Sequence, residues 1–376
     1  MAEPFKNRFD SPLLRELANH LQRVDANFPR ASFLRRVTAA LEELELKARV
    51  LQVAAVLGEH LPEDFARACD TIEAALAPAR LDEDLGALQT GPAGLAGWVI
   101  WPLTEFVAQR GMQQPERALQ ALHHLTQRFT AEFAIRPFLR KHPKLVFATL
   151  RRWLRDPSPH VRRLVSEGSR PRLPWGGNLV ALIADPSPTL PLLHALQDDP
   201  SEYVRRSVAN HLNDIAKDHP ELVAQWVVEH LPGATAARAG LLRRAARTLV
   251  KQGHPATLAA FGAGAALAGT AELQVSPARP RLGSHCELQV TLHSQATTSQ
   301  RLVLDYVVHR VVADGSTRPK VWKGWVLELA PGERRELRKK HSLRPTTVRQ
   351  DHPGAHRFEL RANGVTVAET TAQFVR

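Results

Sequence analysis

Cysteine is nearly absent from these 376 residues: there are two, Cys69 and Cys286, far apart and without CxxC spacing. A disulfide framework and a thiolate zinc site both need more sulfur than that. Long apolar runs are missing as well. No stretch of 18 apolar residues occurs, so no membrane-spanning helix and no membrane partner are expected. The opening MAEPFKNRFDSPLLREL carries acidic residues and lacks the apolar centre of a secretion signal, which makes the cytoplasm the expected location. Gly-rich phosphate loops, HExxH, GxSxG and Cys–His nucleophile patterns do not occur either. The adjacent pair His123–His124 is not a metal site, because neighbouring residues on a helix do not face each other. No metal and no cofactor is expected.

Positive charge, by contrast, is in excess. The chain has 50 Lys and Arg against 38 Asp and Glu, a net charge of +12. Its placement is uneven. Residues 1–135 carry −4 and residues 176–270 are neutral, whereas residues 136–175 carry +9 and residues 271–376 carry +7. A clustered basic patch is the electrostatic footprint of a polyanion partner. The plain alternative is a solvated helix surface.

Two strings repeat. D156-P-S-P-H-V-R-R-L-V165 returns as D199-P-S-E-Y-V-R-R-S-V208, and H142-P-K-L-V146 as H219-P-E-L-V223, with a further His254–Pro255. Within a unit the period is helical: Val146, Leu150, Trp153 and Leu154 share one face, Asp156–Pro157 breaks the helix, and Ser158 with Pro159 opens the next. Val161, Leu164 and Val165 form its apolar stripe; in the later copy Ser201 caps a helix that buries Val204, Val208, Leu212 and Ile215. Helix pairs with a period near 40 residues and Asp-Pro breakers are the signature of HEAT-like α-α superhelical arrays. Stacking would set the paired arginines 162–163, 205–206 and 243–244 along one concave wall.

Residues 255–271 read as a capping helix and a Gly/Ala linker. From 272 the pattern alternates, giving seven short strand candidates, with Asn363–Gly364 as a hairpin turn between the last two. The expected fold is therefore mainly α: a helical array over 1–270, followed by a small immunoglobulin-like β-sandwich over 271–376. A monomer is expected.

Chemistry, if there is any, falls to carboxylates among cations. Glu132 lies in F129-T-A-E-F-A-I-R-P-F138, Glu167 in V161-R-R-L-V-S-E-G-S-R-P-R-L-P-W175, and Asp214 in N210-H-L-N-D-I-A-K-D218. Each has a structural reading: a first-turn acid after a Thr130 cap, an i,i+4 pair with Arg163, and a pair with Lys217. Against that, Glu167 is one of only two acids in the +9 belt. Gly168, Pro171 and Pro174 follow it and fix a rigid turn that presents Arg170, Arg172 and Trp175. An aromatic among arginines is the vocabulary of nucleic-acid contact. Trp153 and Trp226, on apolar stripes, read as core.

These same strings, FTAEFAIRPF, VRRLVSEGSRPRLPW and YVRRSVANHLNDIAKDHP, together with the opening PFKNRF, resemble the HEAT-like DNA alkylation repair glycosylases, specifically the AlkC type, over residues 4–255. The trailing β domain is also a feature of that type and is missing from its AlkD relatives. The resemblance implies a monofunctional DNA repair glycosylase acting on duplex DNA that contains alkylated bases. It would excise cationic N3-alkylated bases, chiefly 3-methyladenine and also 3-methylcytosine, without full base flipping. It implies Glu132, Glu167 and Asp214 as the acids of the active cleft and Trp175 as the lesion-facing aromatic. Arg163, Arg170, Arg172, Arg205 and Arg206 become candidate grips on the DNA backbone, with Arg162 and Asn210 beside them. The +7 domain would be a second clamp. A non-catalytic DNA-binding or damage-sensing scaffold is the competing expectation, because many helical arrays have no activity.

Overall fold

The structure is a computed structural model that describes residues 5–39, 41–79, 81, 88–263, 265–346 and 350–376. Pro4 of the opening string lies outside the described residues. The chain forms two compact units, Met1–Asp218 and His219–Arg376.

The first unit is helical. Its helices are α1 (Ser11–Val24), α2 (Arg30–Thr38), α3 (Leu46–His60), α4 (Phe65–Ala74), α5 (Ile100–Arg110) and α6 (Pro115–Thr126), then α7 (Ile135–Lys141), α8 (Pro143–Trp153), α9 (Pro159–Gly168), α10 (Val180–Ala184), α11 (Leu190–Leu196) and α12 (Glu202–Ile215). Between α9 and α10 sits a hairpin of β1 (Arg172–Leu173) and β2 (Gly177–Asn178). The repeated strings work as helix starts. His142 and Pro143 are the N-cap and first residue of α8. The Asp-Pro-Ser string is a turn: the Asp156 carboxylate accepts the Ser158 N–H, and Asp199 accepts that of Ser201, both at 2.9 Å. Asp185 and Ser187 form a third copy at 3.0 Å. Such Asx turns satisfy backbone donors that the helix has not yet reached. Ser201 then caps α12 through Val204 N–H, while Ser158 makes no side-chain cap bond to α9.

Behind each turn a buried stripe drives packing. Val161, Leu164 and Val165 of α9 and Val204, Val208, Leu212 and Ile215 of α12 are at most 1% exposed, and α9 packs on α12 as well as on α8. Burial of such side chains contributes about 1.5–3 kcal/mol each. The first arginine of each VRR string closes its own turn. Arg162 donates to the carbonyls of Asp156 and Pro157, and Arg205 to those of Asp199 and Pro200. Arg162 also forms a bidentate pair with Asp199 of the next repeat. Both were expected on a DNA-facing wall; Arg162 joins one helix pair to the next, and Arg205 closes the turn before its own helix.

The second unit opens with α13 (Pro220–His230), α14 (Ala236–Ala245), α15 (Arg247–Gln252) and α16 (Pro255–Ala260). His219 and His254 are the N-cap residues of α13 and α16, with proline at the first position of each, and the His254 side chain accepts the Thr257 N–H. Arg243 and Arg244 belong to this unit. Seven strands follow: β3 (Gly269–Ser276), β4 (His285–Ser294), β5 (Gln300–Val311), β6 (Thr317–Leu329), β7 (Arg334–Ser342), β8 (Gly354–Ala362) and β9 (Val365–Phe374). They form a three-stranded sheet, β3-β4-β7, and a four-stranded sheet, β6-β5-β8-β9, both antiparallel. One apolar core joins them, including Leu288 and Val290 from the first sheet and Leu304, Phe358 and Leu360 from the second. This is the immunoglobulin-like sandwich that the strand spacing suggested. Asn363 (φ 49°) and Gly364 (φ 83°) turn β8 into β9, as a two-residue hairpin requires. The helix-to-strand change falls at Gly269, while α13–α16 share a compact unit with the strands.

The neighbours in each VRR string should respond differently to truncation. Arg162→Ala removes a mostly buried ion pair and two carbonyl bonds and should cost about 3 kcal/mol in denaturant unfolding. Arg206→Ala, on an exposed position of α12, should stay within about 0.5 kcal/mol of the parent. Equal effects would mean that Arg162 is not a joint.

Candidate active site

Arg163 organises the acids. It extends from α9 and donates through Nη1 to Glu132 Oε2 at 2.7 Å and to Thr130 Oγ1 at 3.2 Å. Its Nη2 lies 3.6 Å from Glu167 Oε1. Its guanidinium carbon sits 4.8 Å from the Tyr203 ring centroid, a cation–π contact. Glu132 and Glu167, 35 residues apart in sequence, therefore flank one cation. Glu132 does not sit in a first helical turn. It lies in the turn before α7, where the Thr130 hydroxyl donates to it at 2.6 Å.

Glu167 is held from three sides. Arg170 Nη1 donates to its Oε1 and Ser207 Oγ to its Oε2, both at 2.6 Å, with Arg163 beyond. Arg170 continues through Nε to Asp214 Oδ2 at 2.8 Å, and Lys217 reaches Asp214 Oδ1 at 3.0 Å. The three acids are buried, at 8% (Glu132), 5% (Glu167) and 2% (Asp214) exposure. Their charges are matched by those of Arg163, Arg170 and Lys217. Burial works against ionisation of Glu167, but Arg163, Arg170 and Ser207 outweigh it and hold its carboxyl below the usual range. Burial likewise opposes the charge on Arg163, and Glu132, Tyr203 and Glu167 reverse that and raise its pKa. Burial pushes the Tyr203 phenol up to about 12, so it stays a neutral ring beneath the guanidinium.

Several of the arginines expected to grip DNA bond to the protein itself. Arg170 is no surface cation: it is 7% exposed and bridges Glu167 to Asp214. Arg172 is paired to both oxygens of Asp218, at 2.8 and 2.7 Å. Arg206 is exposed on α12, at the position equivalent to Arg163, and Asn210 is half-buried at the position equivalent to Glu167.

Trp175 stands apart from the packed tryptophans. It is 68% exposed and has φ 65° at the tip of the β1–β2 hairpin, a left-handed conformation costly for a bulky side chain. Trp101 and Trp226 are buried at 5% and 8%, and Trp98 and Trp153 are half-buried against aromatic neighbours. Backbone strain and an exposed indole coincide at this residue, which makes it a candidate contact.

Arg136, not singled out from the sequence, holds this hairpin. Fully buried, it donates to the carbonyls of Gly168, Arg170, Gly176 and Gly177 at 2.6–3.2 Å. Burial lowers its pKa to about 10, so it remains a cation at neutral pH. It ties the end of α9, which carries Glu167, to the loop that carries Trp175. Gly168 has a second role: a Cβ there would lie 2.6 Å from Ile135 Cγ2, so glycine lets α9 close on α7. Tyr203, Ser207 and His211 were also missed. The one available signal was their position on α12 in the longest matching string.

A pairwise helical array, an immunoglobulin-like domain and a buried acid–arginine cluster tied through Arg136 to a hairpin with a strained, exposed tryptophan define a site-bearing repeat protein rather than a bare sandwich or bundle. The C-terminal part, residues 269–376, matches the family model described as "Uncharacterised protein YhaZ, C-terminal Ig-like domain". YhaZ of Bacillus subtilis (strain 168), itself described as uncharacterized, is 35% identical over 365 residues, 96% of each chain. The solved structure of the Pseudomonas fluorescens alkylpurine DNA glycosylase AlkC, bound to DNA containing an abasic site analog, superposes with a TM-score of 0.89. Identity there is 34%, and all of both chains is covered. The chain belongs to the AlkC-type family.

His211 gives a test of the packing under the acids. It is fully buried on α12, with Nδ1 2.9 Å from the Ser166 carbonyl, and burial lowers its pKa to about 4. The unfolded chain takes up a proton below about pH 6.5, whereas the folded chain does so only near 4. Stability should therefore fall as pH drops between those values, by roughly 3 kcal/mol from this group. His211→Gln should flatten that slope in denaturant titrations at pH 7 and pH 4.5; an unchanged slope would show that His211 is not the group responsible.

Proposed function

We propose that the protein is a monofunctional DNA glycosylase that releases cationic N3-alkylated bases, 3-methyladenine and 3-methylcytosine, from duplex DNA. The observation that carries this reading is the Glu132–Arg163–Glu167 arrangement beside the Trp175 hairpin. The Pseudomonas fluorescens AlkC structure holds DNA containing an abasic site analog, which supports the same kind of partner.

The chemistry suits the residues. A base methylated at N3 carries positive charge and leaves readily, so no strong general acid is required. What remains is an electron-poor, oxocarbenium-like sugar, which a nearby carboxylate stabilises electrostatically, and a water that must be aligned for attack. Glu132 is the member suited to that task. Its Oε2 is taken by Arg163 and Thr130, which leaves Oε1 for the sugar and water. Both oxygens of Glu167 and of Asp214 are engaged, so these two acids position Arg163, Arg170 and the end of α9. Trp175 would lie against the damaged nucleotide and keep the approach narrow without a deep base pocket. Arg206 and Asn210 on α12 supply contacts to the strand.

The decisive assay is release of free base from duplex DNA containing 3-methyladenine. Glu132→Gln keeps the shape of the side chain and removes its charge, and should slow single-turnover release by about 10²–10³-fold with DNA affinity retained. Glu167→Gln should lower both activity and stability, because it leaves Arg170 and Arg163 short of a partner. Undiminished release by both variants would exclude these roles, and absence of release by the parent would favour a binding scaffold. Trp175→Gly relieves the left-handed strain and should hold stability within about 1 kcal/mol while losing activity. A destabilised variant with full activity would make Trp175 structural.

The +7 C-terminal domain is proposed as a second DNA-binding surface. Strand β7 exposes Arg334, Glu336, Arg338 and Lys340 on one face, three cations to one acid. Replacing Arg338 and Lys340 with Gln should reduce the slope of log affinity against log salt by about 1–2. An unchanged slope would remove this surface from the DNA interface.

A further inference from the structure

The second compact unit contains a cleft of about 220 Å³ lined by α14, α15 and the β5–β6 pair, none of whose residues enter the chemistry above. Its charge follows from sequence spacing. Arg243, Arg247 and Lys251 recur at four-residue intervals, so they project along one side of the consecutive helices α14 and α15. Arg301 and Lys323 reach the same cleft from β5 and β6. All five cations are exposed. Between them lies an apolar floor that includes Leu258, Phe261 and Val303.

A single carboxylate faces these five cations. Asp305 is 7% exposed and sits at the irregularity where β5 shifts register against β6, across from Lys323. Its Oδ1 accepts the Gly324 N–H at 3.4 Å. Glycine is required at 324, because a Cβ would lie 2.4 Å from the Leu304 carbonyl oxygen. The bulge thus places a buried acceptor at the base of a basic rim.

Like charges converging on one cleft repel, and a bound anion offsets that cost. Inorganic phosphate alone would answer the rim but leave the apolar floor and the second oxygen of Asp305 unanswered. A ligand that joins a phosphate to a planar ring with N–H donors answers all three. We propose that this cleft is a nucleotide-binding site: the phosphate lies among Arg243, Arg247, Lys251, Arg301 and Lys323, the ring lies on the apolar floor, and Asp305 accepts from its N–H groups. The site is independent of the glycosylase reading and stands or falls separately from it.

Titration calorimetry of the full-length protein tests this with dGMP, inorganic phosphate and a duplex lacking terminal phosphates. dGMP should bind with Kd below about 1 mM, at least about tenfold tighter than inorganic phosphate. Lys251→Gln combined with Arg301→Gln, both at exposed positions, should weaken dGMP by about tenfold or more with an unchanged melting curve. Asp305→Asn should erase the preference for dGMP over inorganic phosphate; if that variant does not fold, the Lys251/Arg301 pair decides. No dGMP binding at about 10 mM, equal affinity for dGMP and inorganic phosphate, or unaltered binding by the double variant would each overturn the proposal. So would displacement of dGMP by the duplex lacking terminal phosphates, which would make the cleft part of a DNA surface.

Discussion

The site depends on compensation of a buried cation by two carboxylates. Glu132 and Glu167 offset the desolvation of Arg163, and Arg163 and Arg170 offset that of Glu167. An ion pair of this kind seldom adds net stability, because desolvation consumes most of the attraction. Its value here is placement. Each charge is pinned by the others, so in the proposed reaction an anionic oxygen is held in place without reorganisation at the moment of reaction.

The helical scaffold supplies the positions. Glu132 precedes α7, Arg163 and Glu167 lie on α9, and Ser207 and Asp214 lie on α12. Packing of α9 on α12 carries the Glu167–Ser207 bond, and Arg136 fastens the loop after α9 to α7. The repeat itself is built with similar economy. One Asp accepts the turn N–H, and the first arginine of the VRR string closes the turn. That frees the second arginine, Arg163 in one copy and Arg206 in the next, for a different use.

Much of this was legible in the sequence, and the exceptions have a common cause. Asp-Pro breaks, His-Pro starts and apolar stripes are local signals, so the helix pairs could be read directly, as could the seven strands from their alternation and the Asn363–Gly364 turn. Trp175 was marked by the glycine and prolines around it. The charged partners were not legible. Arg136 reads as one more cation in the +9 belt, and only tertiary structure shows that it serves four carbonyls 32–41 residues further along the chain. Arg162, Arg170 and Arg205 looked like surface charge for the same reason. An arginine's role depends on acceptors brought to it from distant sequence, and periodicity carries no information about those.

In the proposed reaction the contribution of Glu132 is electrostatic: it presents negative charge to an electron-poor sugar. It is tested most directly by comparing affinity for two duplexes, one with a cationic azasugar at the lesion position and one with a neutral tetrahydrofuran abasic analogue. The parent protein should prefer the cationic sugar by about tenfold or more, a difference of about 1.4 kcal/mol, and Glu132→Gln should abolish the preference. Equal affinity of the parent for both duplexes, or a preference that survives in Glu132→Gln, would contradict it.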